Sequence, residues 1–157
     1  MFKKLQKVFS LATLLVASCF TASAAQVAVQ ENDNEKLMLF TDLHYLSPAL
    51  MNNGGTTLQK EIDGDNKMFD KASDVLNAII SKALAEKPAG VLIPGDLTKN
   101  GEKYSHNEVA AALQQLVDAG IKVWVVPGNH DVNNTNARSF AGGMSRTIAS
   151  PTSSEFA

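Results

Sequence analysis

The stretch "VWVVPGNHDVNN", Val123 to Asn134, runs from four apolar residues through a proline directly into Gly128, Asn129, His130 and Asp131. A hydrophobic run that ends on an amide, an imidazole and a carboxylate reads as a buried strand that delivers metal-capable side chains at its C-terminal end. The pattern recurs twice upstream. "LMLF", Leu37 to Phe40, leads into Asp42, Leu43 and His44, and "GVLI", Gly90 to Ile93, leads into Gly95 and Asp96. Short continuous apolar runs separated by helical periodicity predict a parallel sheet buried on both faces. The chain therefore reads as an α/β fold in β-α-β-α-β order, with right-handed crossovers expected.

The intervening segments supply the helices. One is expected from about Asn66 to Glu86, with Phe69, Ala72, Leu76, Ile79, Ile80 and Ala83 on one stripe and Pro88 beyond its end. The second is expected to open on a Ser105–Glu108 capping box, to bury Val109, Ala112, Leu113, Leu116 and Val117, and to stop at Gly120. "SPALMNNGGTTLQKEIDGD", Ser47 to Asp65, is polar and rich in Gly and Asn, and reads as a long loop. The final "TIASPTSSEFA" reads as a polar loop entering a helix capped by Ser153 or Ser154. Trp124, inside the third apolar run, is expected in the core.

Composition sets the outer limits. The chain has 157 residues, 45% hydrophobic and 19% charged, which is ordinary for one globular domain. Its N-terminus has the order of an export signal: Lys3, Lys4 and Lys7, then an apolar run from Val8 to Phe20, then small residues. That run is too short to span a membrane as a helix. Two cleavage readings stay open. Ala22, Ser23 and Ala24 fit an A-x-A site, giving a signal of residues 1–24, while "LVASC" resembles a lipobox, giving a lipoprotein signal of residues 1–18 with Cys19 as lipid anchor. A periplasmic or extracellular location is expected. Residues 25–36 read as a linker and 37–157 as the domain. Losing the three lysines takes the fourteen Lys and Arg to eleven against sixteen acids, and those eleven are scattered, so no nucleic-acid polymer is expected as a partner. Cys19 is the single cysteine, which excludes an intrachain disulfide. Oligomeric state is not legible.

In a parallel sheet of β-α-β units all C-terminal strand ends lie along one edge, where ligands bind in open α/β folds. The three polar clusters thus converge on one candidate site. Carboxylates, an amide oxygen and an imidazole, without thiolate, suit Mn, Fe or Zn better than copper. A carboxylate can bridge two cations, and two cations can clamp a phosphoryl group and activate a water. An Asp that orients the neighbouring imidazole would let His130 donate a proton to a leaving alkoxide. His106 could reach toward substrate, although an exposed helix-start side chain is the plainer reading. Lys99 and Asn100 could touch a phosphate, with a solvated loop as the plainer alternative. "GDLTKNG" lacks the Gly-Lys-Ser/Thr of a P-loop.

"DLH", "GD" and "GNHD", in this order and spacing, resemble the calcineurin-like metallophosphoesterases, and "GDLTKNGEKYSH" resembles their bacterial cyclic-nucleotide phosphodiesterase-like branch. The resemblance implies an α/β/β/α sandwich, of which this chain would cover the N-terminal β-α-β-α-β part. It implies hydrolysis of phosphomonoesters or phosphodiesters, small phosphate esters as substrates, two divalent cations and a metal-bound hydroxide. Asp42, His44 and Asp96 would bind the first cation, Asp96 would bridge, and Asn129 would help bind the second. His130 would contact the phosphate or protonate the leaving group, with Asp131 orienting it. The family pattern continues with a later histidine and a Gly-His-x-His motif, whereas this chain has only His44, His106 and His130. It is accordingly expected to be the N-terminal half of a longer enzyme, the alternative being a non-catalytic fragment with an incomplete metal site.

Overall fold

Strands β1 (Leu37–Leu39), β2 (Gly90–Pro94) and β3 (Lys122–Val126) form a parallel sheet in the order β1-β2-β3 in the computed structural model, which describes residues 36–156. The export segment with both its cleavage readings, Cys19 and nearly all of the linker lie outside the described residues. Between β1 and β2 come α1 (Pro48–Met51), α2 (Gly55–Gly64) and α3 (Ala72–Glu86). Between β2 and β3 comes α4 (Lys103–Asp118). Beyond β3 lie a short antiparallel pair, β4 (Arg138–Ser139) with β5 (Arg146–Thr147), and α5 (Ser153–Phe156).

The core lies on one face of the sheet. The rows Met38–Val91–Val123 and Ile93–Val125 are in register. They pack against α3, through Ala72, Leu76, Ile80 and Ala83, and against α4, through Val109, Leu113 and Leu116. The opposite rows, Leu39–Leu92–Trp124 and Pro94–Val126, point away from both helices. Leu37, Leu39 and Val126 are more than 60% exposed there. The expectation of a sheet buried on both faces is corrected for β1 and β3. Continuous apolar runs are the same in sequence whether one face is covered or two. Trp124 is likewise not core: it is 47% exposed and lies across Gly90, where any Cβ would meet its ring at 2.2 Å.

Helix boundaries differ from the sequence expectation for identifiable reasons. α3 begins at Ala72 rather than Asn66 because Asp65 accepts from the Lys67 N–H, and Phe69–Lys71 form a 3-10 turn that buries Phe69. Lys87, in the left-handed region at φ 48°, ends the helix by donating its N–H to Ala83. The Ser105–Glu108 capping box does not form. Ser105 is buried inside α4 with its Oγ accepting from the Ser47 N–H, and Glu108 accepts from the Tyr45 hydroxyl. The other end of α4 is a Schellman motif: Ile121 N–H to Leu116 O and Gly120 N–H to Val117 O, both 2.9 Å, with Gly120 at φ 82°. Val117, expected on the buried face, is 49% exposed.

Ser47–Asp65 is not a loop. Ser47 caps α1 by accepting from Ala49 N–H, with Pro48 at the first helical position. Leu50 and Met51 of α1 and Leu58 and Ile62 of α2 pack on Leu46, Phe69 and Phe140, a second apolar cluster assembled from distant segments. The cap of α5 is Thr152, not Ser153 or Ser154: its Oγ1 accepts from Glu155 N–H while Glu155 Oε2 accepts from Thr152 N–H.

Candidate metal centre

Past the last paired residues of β1 and β2 the two chains continue to bond in parallel. Asp42 N–H donates to Gly95 O, His44 N–H to Asp96 O at 3.0 Å, Tyr45 N–H to Leu97 O at 2.8 Å and Lys99 N–H to Tyr45 O at 3.0 Å. Within this extension Asp42, His44 and Asp96 adopt positive φ of 55°, 46° and 41°. Non-glycine residues there carry a conformational cost of about 1–3 kcal/mol each, and such positions concentrate at functional sites. The backbone hydrogen bonds on either side hold them.

The strained turns aim their side chains at one another. His44 Nε2 lies 3.8 Å from Asp42 Oδ1 and 4.0 Å from Asp96 Oδ2. Donor atoms of His44, Asp96 and His130 all fall within 4.8 Å of one another, and the two imidazoles meet edge to face at 5.0 Å. Asp96 is set by two contacts: its Oδ1 accepts from the His130 N–H at 3.0 Å, and it lies against Gly128, where a Cβ would stand 2.2 Å from Oδ1. A glycine is therefore required at 128 for closeness of approach. His44 is buried, and that desolvation, with the positive charge of Lys67, holds its pKa below the ordinary histidine value, against the weaker pull of Asp96. A neutral imidazole keeps the lone pair a cation needs.

These residues fit a divalent cation. Bonds of roughly 2.0–2.2 Å let one ion span donors up to about twice that distance apart, which covers both carboxylate separations from His44. His44 Nδ1 is buried without a hydrogen-bond partner, so the polar complement of this ring is not supplied by the described residues. Asp42, with its side chain 59% exposed, forms the open side, and Asn129 is exposed. Asn129 has no side-chain hydrogen bond among the described residues. Lys67, half-buried beside Asp42 and His44, was not legible in the sequence, because its approach depends on the 3-10 turn that follows it.

The expected role of Asp131 is corrected. Asp131 is fully buried and does not hold the His130 ring. Its Oδ2 accepts from Leu97 N–H (3.1 Å) and Gly128 N–H (2.8 Å), and its Oδ1 from Thr98 N–H and Thr98 Oγ1, both 2.9 Å. The ring instead meets Lys99 O at 2.7 Å and Asn100 Oδ1 at 3.0 Å through Nδ1. His106 is not an exposed helix-start side chain. Its Nε2 lies 2.8 Å from Asp131 O and 3.2 Å from Thr98 Oγ1, and burial lowers its pKa. Lys99 is not solvated: it is 2% exposed, and its ammonium contacts Glu61 Oε1 at 2.6 Å and Asp65 Oδ2 at 3.2 Å over the Phe69 ring.

A family model described as calcineurin-like phosphoesterase matches residues 35–153 of the chain. No curated protein matches it.

Proposed function

The chain belongs to the calcineurin-like phosphoesterase family, and from that premise we propose that it is a metal-dependent hydrolase of phosphomonoesters or phosphodiesters with a two-cation site. The observation that carries this reading is the convergence of Asp42, His44 and Asp96 from two separate strand ends, with His44 Nε2 3.8 and 4.0 Å from the two carboxylates. These three residues would hold the first cation, and Asp96 would be shared with a second, for which Asn129 is the other donor. Mn, Fe or Zn suits these donors. When bound, such cations supply Lewis acidity to phosphoryl oxygens and lower the pKa of water. The chain's own contribution is positional. The backbone ladder fixes Asp42, His44 and Asp96, the His130 N–H steadies Asp96, and the His130 ring stands beside the donors, which supports a contact with the phosphate of a small ester.

A second reading, a chain that holds one cation and does not turn over, is favoured by the donor count. His106 is committed to Asp131 and Thr98, so among the described residues Asp96 and Asn129 are the donors assigned to the second cation, with only the His130 ring beside them. Metal stoichiometry separates the two readings. We further propose export to the periplasm or the extracellular space, with Cys19 as the lipid anchor under the lipobox alternative, supported by the lysine, apolar and small-residue order of the N-terminus.

The test is hydrolysis of p-nitrophenyl phosphate and bis-p-nitrophenyl phosphate with Mn, Zn or Fe(II) supplied, for the wild type and Asp96→Asn. The variant should lose at least about 100-fold, since it removes a ligand and the donor shared between cations. Absence of turnover with every metal, together with unchanged cation binding in Asp96→Asn, sinks the proposal.

A further inference from the structure

We infer that Lys99 and Asn100 are positioning residues for His130, holding its proton on Nδ1 so that Nε2 is the ring nitrogen with a free lone pair. The inference rests on the hydrolase reading only for its catalytic consequence.

Two oxygens meet His130 Nδ1. A backbone carbonyl oxygen carries no proton, so the 2.7 Å contact to Lys99 O requires Nδ1 to be the donor. Asn100 Oδ1, at 3.0 Å, is a second acceptor on the same nitrogen. A neutral imidazole has one proton, and with that proton on Nδ1 the other nitrogen can only accept. Neutral His130 thus offers Nε2 to a cation or to a hydroxyl proton. It is not, in that form, the proton donor expected from its motif.

Both acceptors are held in place by their own contacts. The Lys99 backbone is fixed to the β1 extension through its N–H on Tyr45 O. Its side chain turns away from the centre into a buried pairing with Glu61 of α2 and Asp65 just beyond it. Asn100 donates its N–H to Glu102 Oε2 at 3.0 Å, and Gly101 donates to Thr98 Oγ1 at 3.0 Å. Gly101, at φ 73°, lies so close to the His130 and Asp131 carbonyls that a Cβ would stand 2.9 Å from each. The turn is therefore seated on the backbone of the residue it orients. Through Lys99, α2 is mechanically tied to the imidazole.

The experiment is a long-range proton–nitrogen NMR spectrum of the metal-free chain labelled with ¹⁵N-histidine, at a pH where the rings are neutral, with His130 assigned from His130→Gln. The expected result is a predominant Nδ1–H tautomer for His130. Asn100→Ala should lower the Nδ1–H to Nε2–H ratio by about two- to tenfold, the worth of one hydrogen bond, and Asn100→Asp, which keeps an acceptor at the same reach, should restore it. Lys99→Met keeps the carbonyl but removes the ammonium, and should lower the ratio by a similar factor. A predominant Nε2–H tautomer in the wild type overturns the inference. So does a ratio indifferent to both Asn100→Ala and Lys99→Met. No metal or turnover enters the measurement, so its failure leaves the hydrolase reading standing, and an inactive chain with the expected tautomer leaves this inference standing.

Discussion

Replacing Asp131 by Asn should cost the protein much of its stability, where a residue that merely orients His130 would cost little. The carboxylate sits fully buried and accepts four hydrogen bonds, two on each oxygen, from Leu97 N–H, Gly128 N–H, Thr98 N–H and Thr98 Oγ1. An amide can keep one oxygen in place and so retain one pair. The cheaper orientation puts the NH₂ at the Oδ1 position, where it faces the Thr98 N–H, which is left without an acceptor, and the Thr98 hydroxyl, which can turn to accept from it. Hydrogen bonds to a charged group contribute about 1.5–3 kcal/mol each, so the lost N–H bond alone costs roughly that much, and the remaining bonds weaken as the charge is removed. That is a large part of the roughly 5–15 kcal/mol that holds a domain folded. Asp131→Ala, which removes all four acceptor contacts, should cost more. The assay is urea unfolding followed by circular dichroism, with the change read from the midpoint at constant slope. A loss below about 1 kcal/mol for Asp131→Asn would refute the reasoning and return Asp131 to the role of an orienting carboxylate.

Gly128→Ala should displace the Asp96 carboxylate, since the new methyl would fall 2.2 Å from Oδ1 and 2.4 Å from the Asp96 nitrogen. Overpacking of this kind costs about 1–3 kcal/mol, and Mn affinity measured by titration calorimetry should fall at least about tenfold; an unchanged affinity contradicts the placement of Asp96 in the centre. Glu102 is buried, and that burial raises its pKa above 4.5. Its contribution to stability is therefore fully present below pH 4.5 and is lost as pH rises through the raised folded value. Measured from acid pH to neutrality, the wild type should lose stability relative to Glu102→Gln, and parallel curves would show that the carboxyl does not titrate differently on folding. Trp124, the single tryptophan, should be readily quenched by acrylamide because it is 47% exposed; a strongly protected indole would place another layer over the open face of the sheet.

The parts of this fold that depend on local pattern were legible, and the parts that depend on who meets whom were not. The three strands showed themselves as apolar runs, and the centre as polar residues placed at each run's end. Ser105 and Glu108 had the spacing of a capping box, yet Ser47 and Tyr45, about sixty residues away, claim both side chains. Leu58 and Ile62 gave too sparse a stripe to mark α2 against its glycines and polar neighbours, and the cluster that completes it includes Phe140. Asp131 follows His130 directly, and adjacency suggested a pair, but the carboxylate turns into the core while the imidazole turns to the edge.

What the motifs share is a reciprocal hold that neither shows alone. The residues of Gly128–Asp131 that do not face the centre grip Gly95–Gly101: Asp131 binds the backbone of Leu97 and Thr98, and Gly128 yields the space that Asp96 needs. Gly95–Gly101 grips back: Lys99 O and Asn100 Oδ1, which do not face the centre, take the His130 ring, and Asp96, which does, takes the His130 N–H on Oδ1. Each segment is thus the template for the other's donors. A substitution in either should disturb the ligand geometry of both, and this coupling gives the spacing within each motif a physical reason even at positions that no cation touches.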